Sequence, residues 1–494
     1  MKTLSALIAM KFFLAATSGF SRPGDQCRLN TKDGFASSKL EAASGLAQSL
    51  KASGFSFELD PEKWNQFEAL NFDFSNTQLV GLGEATHGTS EFSTVRHQLF
   101  RYLVERHGYR VFVLEDEWIG GIYVTEALED GTDLESALNK LTKRGTFLTR
   151  ETLELFKWIE AFNQNHPGDS ITIYGADMQS GPTVVASLEY LAEKLPAHGV
   201  EATQLKSKIE DLLARFSEPD FADTLTLESI KDALVAARQF ETAAVSTLGR
   251  STDKRIRRLE GLVRMPAQFI QKLSADVFEF ISQTKGPEFM ASALSDQSFV
   301  SLLDKQCLDG GFVCRDHFMA SNIKLALDVE KKRGVYWAHN GHVGRFLNHP
   351  NIIWANPRNE VVETIHNTGS FLNDIYGPHY FTIITDFYKG SFLARDSNNA
   401  TNLKSWSVES AVNDPLALHS LIHGFGKPNF AINFRSKLDE KVTTFLDRPQ
   451  LFRVVGATFS DESNTLADSY MTAILPKFAD AYLYFDTSTP HVPL

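Results

Sequence analysis

Apolar and polar positions divide the chain into elements of two periods. Gln78–Leu82 (QLVGL) is a short apolar run bounded by Gly83, which predicts a buried strand. From Ser90 to Arg106 the period changes. Phe92, Val95, Leu99 and Leu103 recur at i, i+3, i+7 and i+11, one stripe of a helix, and Gly108 stops it as a C-cap. Tyr109–Leu114 (YRVFVL) predicts a second buried strand, Thr149–Asn165 a helix stopped before Pro167, and Ile171–Ala176 (ITIYGA) a third strand. Between 183 and 286 strand signals fade. That stretch is rich in Ala, Leu, Glu, Lys and Gln and poor in Gly, which predicts a run of long helices. Asp316–Lys332 is a further helix and Val335–Ala338 (VYWA) a fourth strand; Tyr380–Thr385, Phe430–Phe434, Phe452–Val455 and Ala481–Phe485 are later candidates.

Strands alternating with helices predict an α/β protein, a three-layer α/β/α arrangement whose mainly parallel sheet is covered on both faces. The expected organisation is a first part of the core over 23–182, a helical insertion or cap over 183–330, and a second part of the core over 331–494. Residues 23–45 are small and polar and read as a linker.

Composition narrows the class. The 494 residues are 43% hydrophobic and 22% charged, which excludes a disordered or fibrous chain. The formal net charge of −12 leaves no basic excess to displace counterions, so no nucleic-acid partner is expected. Residues 1–22 resemble a secretory signal peptide: Lys2, an apolar stretch, and the small-residue site Ala16-Thr17-Ser18. Lys11 interrupts the apolar run, and Met10 offers a second start. A periplasmic or secreted location is therefore expected ahead of a cytoplasmic one. No later uncharged apolar run is long enough to predict a membrane span. The three cysteines, Cys27, Cys307 and Cys314, contain no CxxC pair and predict no structural zinc. Cys307 and Cys314 are either free thiols or, in an oxidising compartment, a pair.

Chemistry-bearing residues fall just past the predicted strand ends, where open α/β sheets place their ligands. Gly83-Glu84-Ala85-Thr86-His87-Gly88 follows the first strand, Glu115-Asp116-Glu117 the second, Asp177 the third, and His339-Asn340-Gly341-His342 the fourth. Each alone has a plainer reading: a solvated loop carboxylate, an N-cap at Asp177, a polar turn at HNGH. Four strand ends delivering acids and imidazoles together point to one site. Arg96 lies beside the stripe of Phe92 and Leu99. An inward guanidinium needs a carboxylate, and Glu84 and Glu115 are the candidates; the alternative is an arginine that snorkels out past the apolar face. The chain has no G-x-S-x-G elbow, no phosphate loop, no G-x-G-x-x-G and no H-E-x-x-H.

These segments resemble the erythromycin esterase family. Gly83–Gly88 with Glu91-Phe92 and Arg96, closed by Glu115, is similar to its opening signature. Tyr174–Gln179 is similar to a second family segment, Arg315-Asp316 with Met319-Ala320 and Asn322 to a third, and Trp337–His342 to a fourth. The resemblance runs from about Val80 onward. It implies an α/β/α core around a deep cleft and hydrolysis of an ester or lactone, as in macrolide inactivation. It assigns the general base to His87, acting on water without a covalent enzyme intermediate. Glu84, Glu115, Arg96, His339 and His342 would support activity, with Asp177 and Arg315 at the substrate.

The residue chemistry is compatible with this. An imidazole titrates near neutral pH, a neighbouring carboxylate holds its tautomer, and a developing oxyanion needs donors such as Arg96, His339 or His342. The expectation is a carboxylic ester hydrolase that acts on a small-molecule ester or lactone and uses no cofactor and no metal. Two rivals stand beside it. One is a metal-dependent hydrolase that uses the same histidines and acids as ligands. The other is a haem- or small-ligand-binding protein of similar fold.

Overall fold

A computed structural model describes residues 37–141, 144–216, 227–285, 295, 297–345, 353–354, 366–410, 412, 417–463 and 469–494. The expected signal peptide lies outside them. In chain order the principal strands are β1 (Gly54–Ser56), β2 (Leu79–Glu84), β3 (Val111–Glu117), β4 (Thr172–Asp177), β5 (Gly334–His339), β6 (Tyr380–Asp396), β7 (Asn399–Val408), β8 (Asn429–Asn433) and β9 (Ala481–Ser488). The principal helices are α1 (Ser37–Ala52), α2 (Ser90–His107), α3 (Trp118–Asp130), α4 (Arg150–Asn165), α5 (Gly181–Lys194), α6 (Gly199–Arg215), α7 (Leu227–Leu248), α8 (Lys254–Lys285) and α9 (Gly311–Glu330). The expected linker over 23–45 is shortened, because α1 begins at Ser37.

The chain forms two compact units. The sheet unit holds the described residues up to Phe112, together with Lys143–Ile171 and Arg333–Leu494. Its strand order is β1-β8-β9-β6-β2-β5, with β7 on β6. The run β9-β6-β2-β5 is parallel. Every residue of β2 and β5 is buried, as expected of continuous apolar runs in a parallel sheet covered on both faces. Antiparallel pairs are added at β1 on β8, β8 on β9, and β7 on β6, while the short strand Thr458–Phe459 runs parallel to the end of β6. The fold is therefore α/β with a mixed sheet. The parallel pattern stops at β6–β7 because only Ser397 and Asn398 join the two strands, a hairpin connection too short for a crossover helix.

Helix α2 follows β2 and ends on Gly108, whose left-handed φ of 70° lets its N–H reach the carbonyls of Leu103 and Val104. The stripe of Phe92, Val95, Leu99 and Leu103 is buried as predicted. So are His97, Phe100, Tyr102 and Val104, which makes the helix buried on more than one side. A second apolar cluster of this unit packs Leu418, Ile422, Val442, Leu446, Phe452 and Phe478 around Ile384, Ile432, Tyr482 and Tyr484.

The helical unit comprises Val113–Thr142 and Thr172–Lys332. It holds Val113–Glu117 of β3, the neighbouring strand β4, and helices α3 and α5–α9. Its helices pack about α8, which touches α3, α5, α7 and α9. Trp118 is fully buried and donates its indole N–H to the Arg258 carbonyl at 3.0 Å. The Arg258 guanidinium reaches Glu330 at 2.9 Å, which ties α8 to α9. Cys307 and Cys314 are joined as a disulfide at the start of α9, with their Cα atoms 4.2 Å apart.

Candidate active site

In the sheet unit, β2 ends on Glu84 and β5 ends on His339, paired in register. The loop after β2 returns His87 to the strand it left, and the His87 Nδ1 lies 2.6 Å from Glu84 Oε1. Gly88 makes this path possible. A Cβ there would lie 2.0 Å from the Leu393 carbonyl oxygen. The other Glu84 oxygen, Oε2, is 2.6 Å from Arg96 Nη2 and accepts from Trp337 Nε1 at 3.3 Å. Arg96 itself is buried. Its Nε donates to the Phe92 carbonyl at 2.8 Å, and its guanidinium stacks 3.5 Å over the Trp337 ring.

These contacts decide the electrostatics. Burial pushes the Glu84 carboxyl up, but Arg96 and His87 outweigh it and hold Glu84 below the usual carboxylate range. Burial also pulls Arg96 down to about 10, against the opposing pull of Glu84, so it stays a cation at neutral pH. An ionised Glu84 accepts only. The neutral His87 ring therefore carries its proton on Nδ1 and leaves the Nε2 lone pair as its basic site. The His87 side chain is 16% exposed, which gives water access to it.

The second imidazole has the opposite polarity. His339 caps the short helix Asn340–Val343, and its Nδ1 accepts from Gly341 N at 3.2 Å. The neutral His339 ring then bears its proton on Nε2. The two rings lie 5.3 Å apart between centroids. A base nitrogen and a donor nitrogen thus belong to neighbouring rings. Asn340 fixes this strand end by donating to the Thr385 carbonyl at 2.7 Å, and Thr385 Oγ1 accepts from Ala85 N at 3.1 Å. His342 is buried on the same short helix.

The helical unit holds its own charged cluster. Arg315, in the first turns of α9, places Nη2 2.7 Å from Asp177 Oδ2 and 3.0 Å from Glu115 Oε1, and its Nε 3.0 Å from Asp177 Oδ1. Burial lowers the Arg315 pKa, but the two acids overcome it and raise it well above the ordinary value. Asp177 does not cap α5, whose N-cap is Ser180. Glu117 serves that end instead, with Oε1 accepting from Gln179 N at 3.0 Å and Ser180 N at 2.9 Å.

The structure thus brings Glu84, His87, Arg96 and His339 into one network within the sheet unit, with His342 on the adjoining short helix. It brings Glu115, Asp177 and Arg315 together within the helical unit. Arg96 points inward as its place on α2 predicted, and its carboxylate is Glu84. Sequence reasoning missed Ser93, whose Oγ lies 3.4 Å from Arg96 Nη2, and His491, whose Nε2 lies 2.8 Å from that Oγ. No local pattern marks His491, which meets Ser93 across 398 positions of chain. Among the described residues no group of three or more His, Cys, Asp or Glu side chains is placed to hold a metal ion. Among them, too, no helix is long and apolar enough to cross a membrane.

A mixed α/β sheet with a carboxylate-held histidine at a parallel strand end has the equipment of a hydrolase. The profile of the erythromycin esterase family matches residues 104–488, and the chain belongs to that family. The match begins after the Gly83–Gly88 loop. YbfO of Bacillus subtilis is 22% identical over 433 residues, 84% of each chain. Erythromycin esterase type II of Escherichia coli is 22% identical over 291 residues, 57% of this chain and 64% of that protein. Among solved structures, a mutant of the erythromycin esterase EreC in its open conformation is similar, with a TM-score of 0.58 and 15% identity. That likeness covers 90% of this chain and 97% of the other.

Proposed function

We propose that the protein is a carboxylic ester hydrolase in which His87 activates water for direct attack on an ester or lactone carbonyl. The observation that carries this reading is the 2.6 Å contact between His87 Nδ1 and a Glu84 carboxylate whose other oxygen is bound by Arg96. In the reaction His87 Nε2 takes a proton from water as the water oxygen bonds to the carbonyl carbon. Glu84 stabilises the imidazolium that forms. The His339 Nε2–H is a donor for the oxyanion. Collapse of the tetrahedral intermediate breaks the ester C–O bond, and the imidazolium returns its proton to the leaving alkoxide. No bond forms between the enzyme and the acyl group. Asp177 and Arg315 are assigned to substrate binding and Glu115 and His342 to support of the reaction.

Macrolide lactones are the first substrate class to test, since two of the similar proteins are named erythromycin esterases. Engagement of Glu84 by both Arg96 and His87 disfavours it as a metal ligand and favours water activation by the imidazole. Export is part of the proposal. It is supported by the signal-like Met1–Phe20 and by the Cys307–Cys314 disulfide, a bond that persists in oxidising compartments.

The test is a hydrolysis screen by mass spectrometry over macrolides and smaller lactones and esters, in H2¹⁸O and with chelator present. The expected result is one ¹⁸O per product acid and no acyl-protein adduct. His87→Asn should lower kcat by at least about 10²-fold with a much smaller change in KM. Near-normal kcat in His87→Asn would move the base elsewhere, and loss of activity in chelator would favour the metal-dependent rival.

A further inference from the structure

The segment that follows β9 takes no part in the reaction outlined above, yet it is built into the start of α2. Thr489 donates its N–H and its hydroxyl to the Glu91 carboxylate, each at 2.7 Å. Ser90 N donates to the Thr489 carbonyl at 2.9 Å, and His491 N to the Gly88 carbonyl at 3.0 Å. Thr89 and Pro490 form an antiparallel bridge. The segment therefore grips the chain immediately after His87, at Gly88, Thr89 and Ser90. It is held on its other side by α4, where Arg150 N donates to the Val492 carbonyl at 2.8 Å.

Within this strap the His491 side chain is buried, 3% exposed, with Nε2 2.8 Å from Ser93 Oγ. Ser93 stands one turn before Arg96. A guanidinium only donates, so Arg96 Nη2 donates to Ser93 Oγ at 3.4 Å. Ser93 Oγ keeps a second lone pair, so the contact of 2.8 Å can run either way; we take the tautomer in which His491 Nε2 bears the lone pair and the Ser93 proton is directed to it. Burial pulls the His491 pKa down to about 4, against the upward pull of Glu151 and Glu84 and with a further downward push from Arg96. The ring is neutral near pH 7 and remains an acceptor.

We infer that His491 is a positioning residue for the Glu84–His87 pair: by accepting the Ser93 proton it turns the Ser93 lone pairs toward Arg96 and keeps Arg96 on the second Glu84 oxygen. The inference rests on the reading of His87 as general base. It gives the strap two holds on the base, one through the backbone at Gly88 and one through Ser93, Arg96 and Glu84.

The alternative is that His491 only fills space, and three variants separate the two. His491→Leu keeps the bulk and removes the acceptor. His491→Gln keeps an acceptor at similar reach. Ser93→Ala removes the link. The expected result is a roughly 3–10-fold fall in kcat for His491→Leu, the worth of one buried hydrogen bond, with KM within about twofold of wild type. His491→Gln should recover most of the loss. The double variant Ser93→Ala/His491→Leu should be no slower than Ser93→Ala alone, because both act through one contact. Equal kcat in all variants, equal losses in His491→Leu and His491→Gln, or additive losses in the double variant would overturn the inference. Should His491→Leu fail to fold, an unchanged kcat in Ser93→Ala overturns it.

A readout independent of turnover keeps this apart from the proposed function. The ¹⁵N shifts of the His87 ring report its tautomer. If wild type hydrolyses no ester, the hydrolase reading fails, and the ring shifts still decide on His491. A tautomer balance altered in His491→Leu and restored in His491→Gln supports the inference, and an unaltered one overturns it.

Discussion

A carboxylate as buried as Glu84 costs several kcal/mol unless it is paired, and Arg96 is the residue that pairs it. The same guanidinium also donates to Phe92 and lies on Trp337, so its position is fixed from three sides. Arg96→Ala leaves Glu84 with an imidazole and an indole as its remaining neutral partners. We expect a loss of about 3–5 kcal/mol in urea unfolding, the usual cost of breaking a buried pair, and at least a 10²-fold fall in kcat/KM. Arg96→Lys should restore little of either, because one ammonium cannot bridge Glu84 and Ser93 while lying flat on an indole ring. An Arg96→Ala protein with wild-type unfolding midpoint and activity would show that the pair does neither job. That Arg96 faces inward was readable from its place beside Phe92 and Leu99. Its choice of Glu84 over Glu115 was not, because both acids follow predicted strands and the helix stripe carries no information on which strand end it meets.

At the scale of one element, α9 begins with Gly311, Phe312, Val313 and Cys314 and then presents Arg315 to Asp177 and Glu115. The disulfide to Cys307 closes a short loop just before that guanidinium. Closing a loop of this size is worth about 2.5 kcal/mol by the chain-entropy estimate. Reductant should therefore lower the urea midpoint by a comparable free energy. The Cys307→Ser/Cys314→Ser protein should start lower and show no response to reductant. Equal midpoints with and without reductant in the wild-type protein would show that the bond contributes nothing to stability. The spacing of the two cysteines left pairing open, because seven positions allow contact without requiring it.

Across the whole molecule, buried histidines set the acid side of stability. Burial pulls His97, His419 and His491 each down to about 4. Arg101 adds to the shift at His97 and Arg453 at His419, whereas Glu151 opposes it at His491. Their folded pKa values lie below the ordinary imidazole value, so unfolding takes up protons between pH 6.5 and about 4. The stability they contribute is present above pH 6.5 and is lost as pH falls toward 4. Asp386 works the other way. Burial raises it to about 6, so the folded state takes up its proton first and gains stability as pH falls through that value. Burial also raises Glu241 and Glu279, which adds to this opposing trend. Among the described residues three strongly shifted histidines stand against one strongly shifted aspartate, so the urea midpoint should fall from pH 7 to pH 5. In His97→Phe that fall should shrink by roughly 1–2 kcal/mol. A midpoint that rises toward pH 5 would mean that the carboxyls dominate.

The sequence by itself determined where the apolar runs of β2, β3, β4 and β5 lie and that α2 follows β2. It also determined that acids and imidazoles stand at the ends of those strands, because burial of a run and its period are local properties. The four motif segments were likewise local, which is why they identified the family. What tertiary structure decided was every choice among distant partners. It set the antiparallel pairing of β1, β7 and β8 and carried β6 on from Thr385 to Asp396 through DFYKGSFLARD, a run in which charged and small residues interrupt the apolar ones. It gave Glu84 to Arg96 and His87, and Asp177 and Glu115 to Arg315. It brought His491 beside Ser93 from the far end of the chain. The physical reason is the same in each case. Side-chain periodicity reports which face is buried, whereas the identity of the group buried against it depends on how the whole chain packs.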